Sequence, residues 1–253
     1  MRFHLFGKAD HPPIVLLHGG GLSWWSWQPI VDGLQDQYRL IVPTLDGHDD
    51  DGDTTFRSIA DSAAQCLAYL DANYGGSVYA IAGLSIGAQI VVEMLARRQK
   101  LARYAIIESA LVYPLAGSGL MAALTPLFYG LIQNKRIARK QAQVLQIPDS
   151  LFERYYASSV RMTCQSLANI TRSNGHFPLP ASISETQANV LIVVGGAELG
   201  IMKRSASRLH EAIPSSTLRV FPGWKHGAAS LAHPDIYLQM VRTLRDSPVI
   251  PKI

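Results

Sequence analysis

The sequence predicts an α/β fold, a mainly parallel sheet flanked by helices with a helical insertion near its middle. Short runs rich in Val, Ile and Leu alternate with segments of helical periodicity along the 253 residues, as buried parallel strands and their connecting helices do. One run, Val78 to Ala82, enters Gly83-Leu84-Ser85-Ile86-Gly87 and leaves it as a helix-like segment. Between Pro114 and Pro180 the alternation stops, and helix-like stretches follow one another without a convincing strand.

Phe3 to Phe6 reads as an edge strand, followed by core strands at Ile14 to Leu17 and Arg39 to Val42. Thr54 to Tyr74 repeats Ile59, Ala63, Cys66, Leu67 and Leu70 at i, i+3, i+4 spacing and predicts a helix. Val78 to Ala82 and Tyr104 to Ile107 are strands on either side of the helix Ala88 to Arg98. The block 114–180, punctuated at Gly117-Ser118-Gly119, Ile147-Pro148-Asp149 and Asn174-Gly175-His176, is expected to lie as a lid over the carboxyl edge of the sheet. Residues 1–113 and 181–253 then form the core, resuming with the strand Val190 to Val194, the helix Lys203 to Ile213, the short strand Leu218 to Phe221 and the helix Ile236 to Leu244. The tail, Ser247 to Ile253, is expected to be extended.

With 48% apolar and 17% charged residues the composition is that of a globular protein, and no apolar run approaches the length needed to cross a bilayer. No membrane association is expected. The first residues, Met1 to Gly7, carry no apolar h-region or small-residue cleavage site, which predicts a cytoplasmic location. Cys66 and Cys164 lie far apart in helix-like segments and read as small apolar residues, not as metal ligands or a disulfide. A net charge of +4 is too dispersed to imply nucleic acid. Lys135, Arg136, Arg139 and Lys140 cluster at helical spacing and read as a solvated face, with attraction of an acidic partner or substrate as the alternative. Asp49, Asp50, Asp51 and Asp53 lack the spacing and terminal glutamate of a calcium loop and read as a solvated turn before the helix at Thr54. Neither a metal nor a cofactor is expected, and the oligomeric state is left open.

Ser85 is the candidate nucleophile. A turn sharp enough to lift its hydroxyl above the sheet leaves no room for side chains two residues away, hence Gly83 and Gly87. The following helix aims its amino end at any anion forming there. His18-Gly19-Gly20-Gly21 follows a strand directly, and the N–H groups of Gly20 and Ile86 are the candidate oxyanion donors. A serine hydroxyl needs a base, and His226, in the loop after the last strand, is the best placed histidine. Its partner acid is Glu198, after the strand Val190 to Val194, with Glu108 as the alternative. Trp24, Trp25 and Trp224 crowd the same loops and are candidates for an apolar substrate wall.

Taken together, these residues resemble the α/β-hydrolase family over nearly the whole chain. The resemblance rests on His18 to Gly21 with Trp27 beyond, Asp46-Gly47-His48, the turn at Ser85, Gly195 to Glu198, and His226. It implies a helix-capped serine hydrolase acting on a small-molecule carboxylic ester or related acyl compound through an acyl-enzyme. The same triad could serve C–C or thioester hydrolysis, perhydrolysis or acyl transfer, and a non-catalytic ligand-binding relative is the third possibility. The chain departs from the family pattern in carrying Glu198 where many relatives have aspartate, and in following Gly47-His48 with acidic residues.

Overall fold

A computed structural model describes residues 1–145 and 147–246. In chain order the elements are β1 (Arg2–Phe6), β2 (Pro13–Leu17), α1 (Gln28–Leu34), β3 (Arg39–Thr44), α2 (Ile59–Tyr74), β4 (Val78–Leu84), α3 (Ile86–Arg97) and β5 (Ala102–Glu108). Then come α4 (Ser118–Ala123), α5 (Thr125–Ile132), α6 (Lys135–Val144), α7 (Phe152–Arg161) and α8 (Cys164–Gly175). The chain ends in β6 (Asn189–Gly195), α9 (Gly200–Ala212), β7 (Ser216–Phe221), α10 (Ala228–Leu231) and α11 (Pro234–Asp246).

The strands form one sheet in the order β1-β3-β2-β4-β5-β6-β7, parallel except for β1 against β3. Alternate residues of each strand face opposite layers. Val15 and Leu17 of β2 join the cluster that contains α2, α3 and α9, while Ile14 and Leu16 join the cluster that contains α1 and α11. Both faces are therefore covered, which is why the strands read as continuous apolar runs. After β2 the chain moves outward to β3, then crosses back to place β4 on the other side of β2. Leu17 and Gly83 are register partners, so the loops leaving β2 and β4 emerge side by side at this topological switch point.

Among the described residues, 114–180 contains helices and no strand. This insertion is tied to the rest of the molecule by polar contacts. Gln89 Nε2 donates to the carbonyls of Leu111 (2.7 Å) and Asn174 (3.1 Å), and Trp25 Nε1 donates to Ser158 Oγ (3.0 Å). Further tethers from the insertion displace one predicted boundary. The second helix starts at Ile59, not Thr54, because Phe56 is buried with its N–H given to Ser166 Oγ (3.3 Å) and its carbonyl accepting from Asn169 Nδ2 (2.9 Å). Ser58 caps the helix, its Oγ accepting from the Asp61 N–H at 3.0 Å. Asp53 consequently does not stand at the helix amino end. Asp49 to Asp51 form a short 3₁₀ turn, where Asp49 pairs with Arg161 and Asp50 with Arg2 and His4. Both cysteines are free thiols, and burial pushes that of Cys66 up to about 12. The tail 247–253 lies outside the described residues.

Candidate active site

Ser85 joins β4 to α3 with φ 56° and ψ −117°, a left-handed conformation that a non-glycine residue adopts only when its surroundings enforce it. The surroundings are two glycines without space for a methyl group. A Cβ on Gly83 would run into the Gly87 carbonyl, and one on Gly87 into the Leu17 carbonyl of the neighbouring strand. The Ser85 N–H donates to the Glu108 carbonyl (2.9 Å), so the turn is braced against β5. Ile86, the first residue of α3, presents an N–H at the helix amino end.

Gly20 lines the same cavity as Ser85 and Ile86. Its loop is held by His18, which is fully buried. The Leu45 N–H donates to His18 Nε2 (3.0 Å), which places the ring proton on Nδ1, and Nδ1 donates to the Gly19 carbonyl (2.8 Å). Burial pushes the pKa of His18 down to about 3, and the nearby His48 adds to the effect, so the ring stays neutral. The Gly19 carbonyl and the Gly20 N–H belong to one planar, trans peptide unit. Pinning the carbonyl therefore fixes the direction of the N–H.

Glu198 follows β6 and has a nearly fully buried carboxyl. Oε1 accepts from the Gly195 N–H (2.7 Å) and from Ser109 Oγ (2.8 Å), and Oε2 accepts from His226 Nδ1 (2.8 Å). Burial raises its pKa, but the bonds from His226, Gly195 and Ser109 outweigh burial and hold it below the ordinary carboxylate value. Donation from Nδ1 leaves the lone pair of His226 on Nε2. His226 and Ser85 line one narrow cleft of about 30 Å³ together with Gly19 and Gly20.

The other carboxylate, Glu108, ends β5 and does something different. Its Oε1 accepts from the N–H groups of Ala229 (3.0 Å) and Ser230 (3.3 Å), at the start of α10 and just past His226. Burial raises its pKa to about 7, against those bonds. Of the two candidate acids, Glu198 holds the imidazole and Glu108 holds the backbone behind it. Ser109 is a further residue of the site, held at φ 54° and absent from the sequence reading. Its signal is a polar pair, Glu108-Ser109, closing an apolar strand.

A cavity of about 730 Å³ opens from Ser85 beneath the inserted helices. Its wall corrects the sequence expectation, because Trp24, Trp25 and Trp224 are absent from it. Trp25 is buried and turned toward Ser158, Trp24 packs on His4 with Arg154 over its ring, and Trp224 is stacked between Phe221 and His233. Proximity in sequence to the glycine loop did not translate into proximity to the cavity, since the 3₁₀ turn Trp24–Trp27 directs Trp25 and Trp27 into the core. The apolar lining comes from the insertion instead, through Met121, Phe128, Leu131, Val144, Met162 and Ile170.

Among the described residues, no three His, Cys, Asp or Glu side chains gather in a way that could hold a metal ion.

A seven-stranded, mostly parallel sheet with a strained serine turn at its switch point is the architecture of an alpha/beta hydrolase. The Alpha/beta hydrolase family profile matches residues 14–239, and the chain belongs to that family. It is 25% identical over 234 residues to the magnesium-chelatase 30 kDa subunit of Rhodobacter capsulatus, covering 86% of this chain and 81% of that protein. Solved structures with the same fold include an esterase from Exiguobacterium antarcticum (TM-score 0.80, 15% identity, covering 97% of this chain and 95% of the other). Another is the esterase RhEst1 from Rhodococcus sp. ECU1013 (TM-score 0.78, 21% identity, covering 98% and 94%).

Proposed function

We propose that this chain is a serine hydrolase that cleaves a carboxylic ester or related acyl compound through an acyl-enzyme on Ser85. The observation that carries the reading is the 2.8 Å bond from His226 Nδ1 to the buried Glu198, beside a serine held on a left-handed turn. Ser85 Oγ attacks the carbonyl carbon as its proton passes to His226 Nε2, and the N–H groups of Gly20 and Ile86 receive the oxyanion. The C–O bond then breaks, with His226 returning the proton to the leaving alcohol. Water adds to the acyl-enzyme by the same route and frees the acid and Ser85. Glu198 keeps the ring in the required tautomer and stabilises the imidazolium. The route needs no cofactor. Residues 114–180 act as the cap that shapes the acyl site over a core of 1–113 and 181–253, in a cytoplasmic protein.

A fluorophosphonate probe followed by peptide mapping tests this directly. The adduct is expected on Ser85 and absent from Ser85→Ala, whose turnover of a chromogenic ester should fall by about a thousandfold or more with its fold intact. A second reading, a non-catalytic ligand-binding protein, is favoured by the likeness to the Rhodobacter relative, a chelatase subunit. Folded protein that takes no adduct at Ser85 would establish it in place of the first.

A further inference from the structure

The cap carries an unusual surface. Leu120 (66% exposed) and Met121 (64%) on α4, and Leu127 (75%), Phe128 (58%) and Leu131 (48%) on α5, stand in solvent on adjacent helices. Isolated exposed leucines are ordinary, but a concentration of large apolar side chains on two neighbouring helices marks a surface made to be covered. Part of it is the rim of the Ser85 cavity, to which Met121, Phe128 and Leu131 belong. Leu120 and Leu127 do not line that cavity, so substrate in the pocket does not account for them.

The charge distribution identifies the occupant. Residues 114–180 contain seven Lys or Arg and two Asp or Glu, while the rest of the chain contains sixteen and seventeen. The whole positive excess of the protein thus sits in the cap. Helix α6, next to α5, brings Lys135, Arg136, Arg139 and Lys140; Lys135 pairs with Glu153 and Arg139 with Asp149, and Arg136 and Lys140 stand exposed, Lys140 at the cavity rim. Two caps of this charge would repel one another, which disfavours a second copy as the cover. An apolar face bordered by cations matches the headgroup and acyl boundary of an anionic bilayer.

We infer that α4, α5 and α6 form a docking surface for an anionic lipid bilayer, with the mouth of the Ser85 cavity turned toward the lipid. This is peripheral docking and requires no spanning helix; none of the described helices is long and apolar enough to cross a membrane. It departs from the sequence expectation of no membrane association, which considered only spanning segments. The corollary that an acyl chain enters the cavity from the bilayer rests on the hydrolase reading, whereas the docking itself does not.

The test is co-sedimentation of the full chain with phosphatidylcholine vesicles, with and without phosphatidylglycerol. Wild-type protein and Ser85→Ala should both sediment with the phosphatidylglycerol vesicles, less with phosphatidylcholine alone and less as salt rises. The double variant Leu120→Gln, Leu127→Gln should lose about tenfold or more of this partitioning, and Arg136→Glu about fivefold, while turnover of a soluble short-chain ester stays within about twofold of wild type. Absence of wild-type binding to phosphatidylglycerol vesicles at low salt overturns the inference. So does a dimer by light scattering that the double variant dissociates, because a second copy would then be the cover. Vesicle binding does not depend on turnover, so an inactive protein that still binds overturns the hydrolase reading and leaves the docking standing.

Discussion

Glu198 and Glu108 lie at the ends of neighbouring strands, and one contact separates their roles. Glu198 accepts from His226 Nδ1, whereas Glu108 accepts from the backbone of Ala229 and Ser230. A neutral amide at position 198 removes the charge that stabilises the imidazolium and can present an N–H to Nδ1, which fixes the wrong tautomer. Glu198→Gln should therefore lower kcat for a chromogenic ester by about a thousandfold or more, as loss of a tautomer-fixing acid does elsewhere. Glu108→Gln keeps a carbonyl oxygen for the same two N–H groups and should stay within about tenfold of wild type. Steady-state kinetics of the two variants check this, and a loss confined to Glu108→Gln would reverse the assignment. As a candidate set, Ser85, His226 and Glu198 were legible because a strand-end serine, a late loop histidine and an acid after a strand occur in a fixed order. His18 was legible only as part of a glycine motif. What its ring does depends on the Leu45 N–H, which only the fold brings near. Ser109 left a fainter trace still, since a lone serine beside a glutamate carries no periodicity.

The turn between β4 and α3 transmits the geometry of the sheet to Ser85, the proposed nucleophile, and its glycines allow no compromise. The carbonyl oxygen facing a Cβ on Gly87 belongs to Leu17, a central strand residue that cannot move without breaking the β2 to β4 pairing. Gly87→Ala should therefore destabilise the protein by about 2 kcal/mol or more, read as a lower urea midpoint at unchanged slope, and should reduce activity even where the protein remains folded. A midpoint equal to that of wild type would mean that the turn yields, and that Ser85 is not held as rigidly as its dihedral angles imply. At this scale the strands were the most legible elements, since burial on both faces writes them as uninterrupted Val, Ile and Leu. Boundaries set by tertiary contacts were not. The start of α2 is decided by Ser166 and Asn169, more than a hundred residues downstream, which bind the backbone of Phe56 and keep it out of the helix. The apolar pocket wall was misassigned for the same reason. Tryptophans near the glycine loop drew attention by size, while the residues that reach the cavity are spread over the cap helices, whose placement no local pattern encodes.

At the scale of the whole molecule, the buried groups His18 and Glu108 pull the pH dependence of folding in opposite directions. His18 binds its proton less tightly when folded, with a pKa lowered to about 3 by burial, so it adds stability as pH rises from that value toward the ordinary 6.5. Glu108 binds its proton more tightly when folded, its pKa raised by burial from 4.5 to about 7. Over that interval the unfolded carboxyl ionises and the folded one does not, so its contribution to stability falls as pH rises and is fully lost above the folded value. The two slopes oppose one another between about pH 4.5 and 6.5, and the fully buried His48, whose pKa burial also lowers, adds to the rising side. Glu108→Gln removes only the falling component, because the amide is neutral at every pH and still accepts from α10. Relative to wild type, the variant should gain about 3 kcal/mol of unfolding free energy between about pH 4.5 and pH 7. Urea titrations of both proteins across that range measure the difference directly. A constant difference would show that Glu108 is ionised in the folded protein throughout, and that the backbone following His226 is held by a carboxylate in place of a neutral acid.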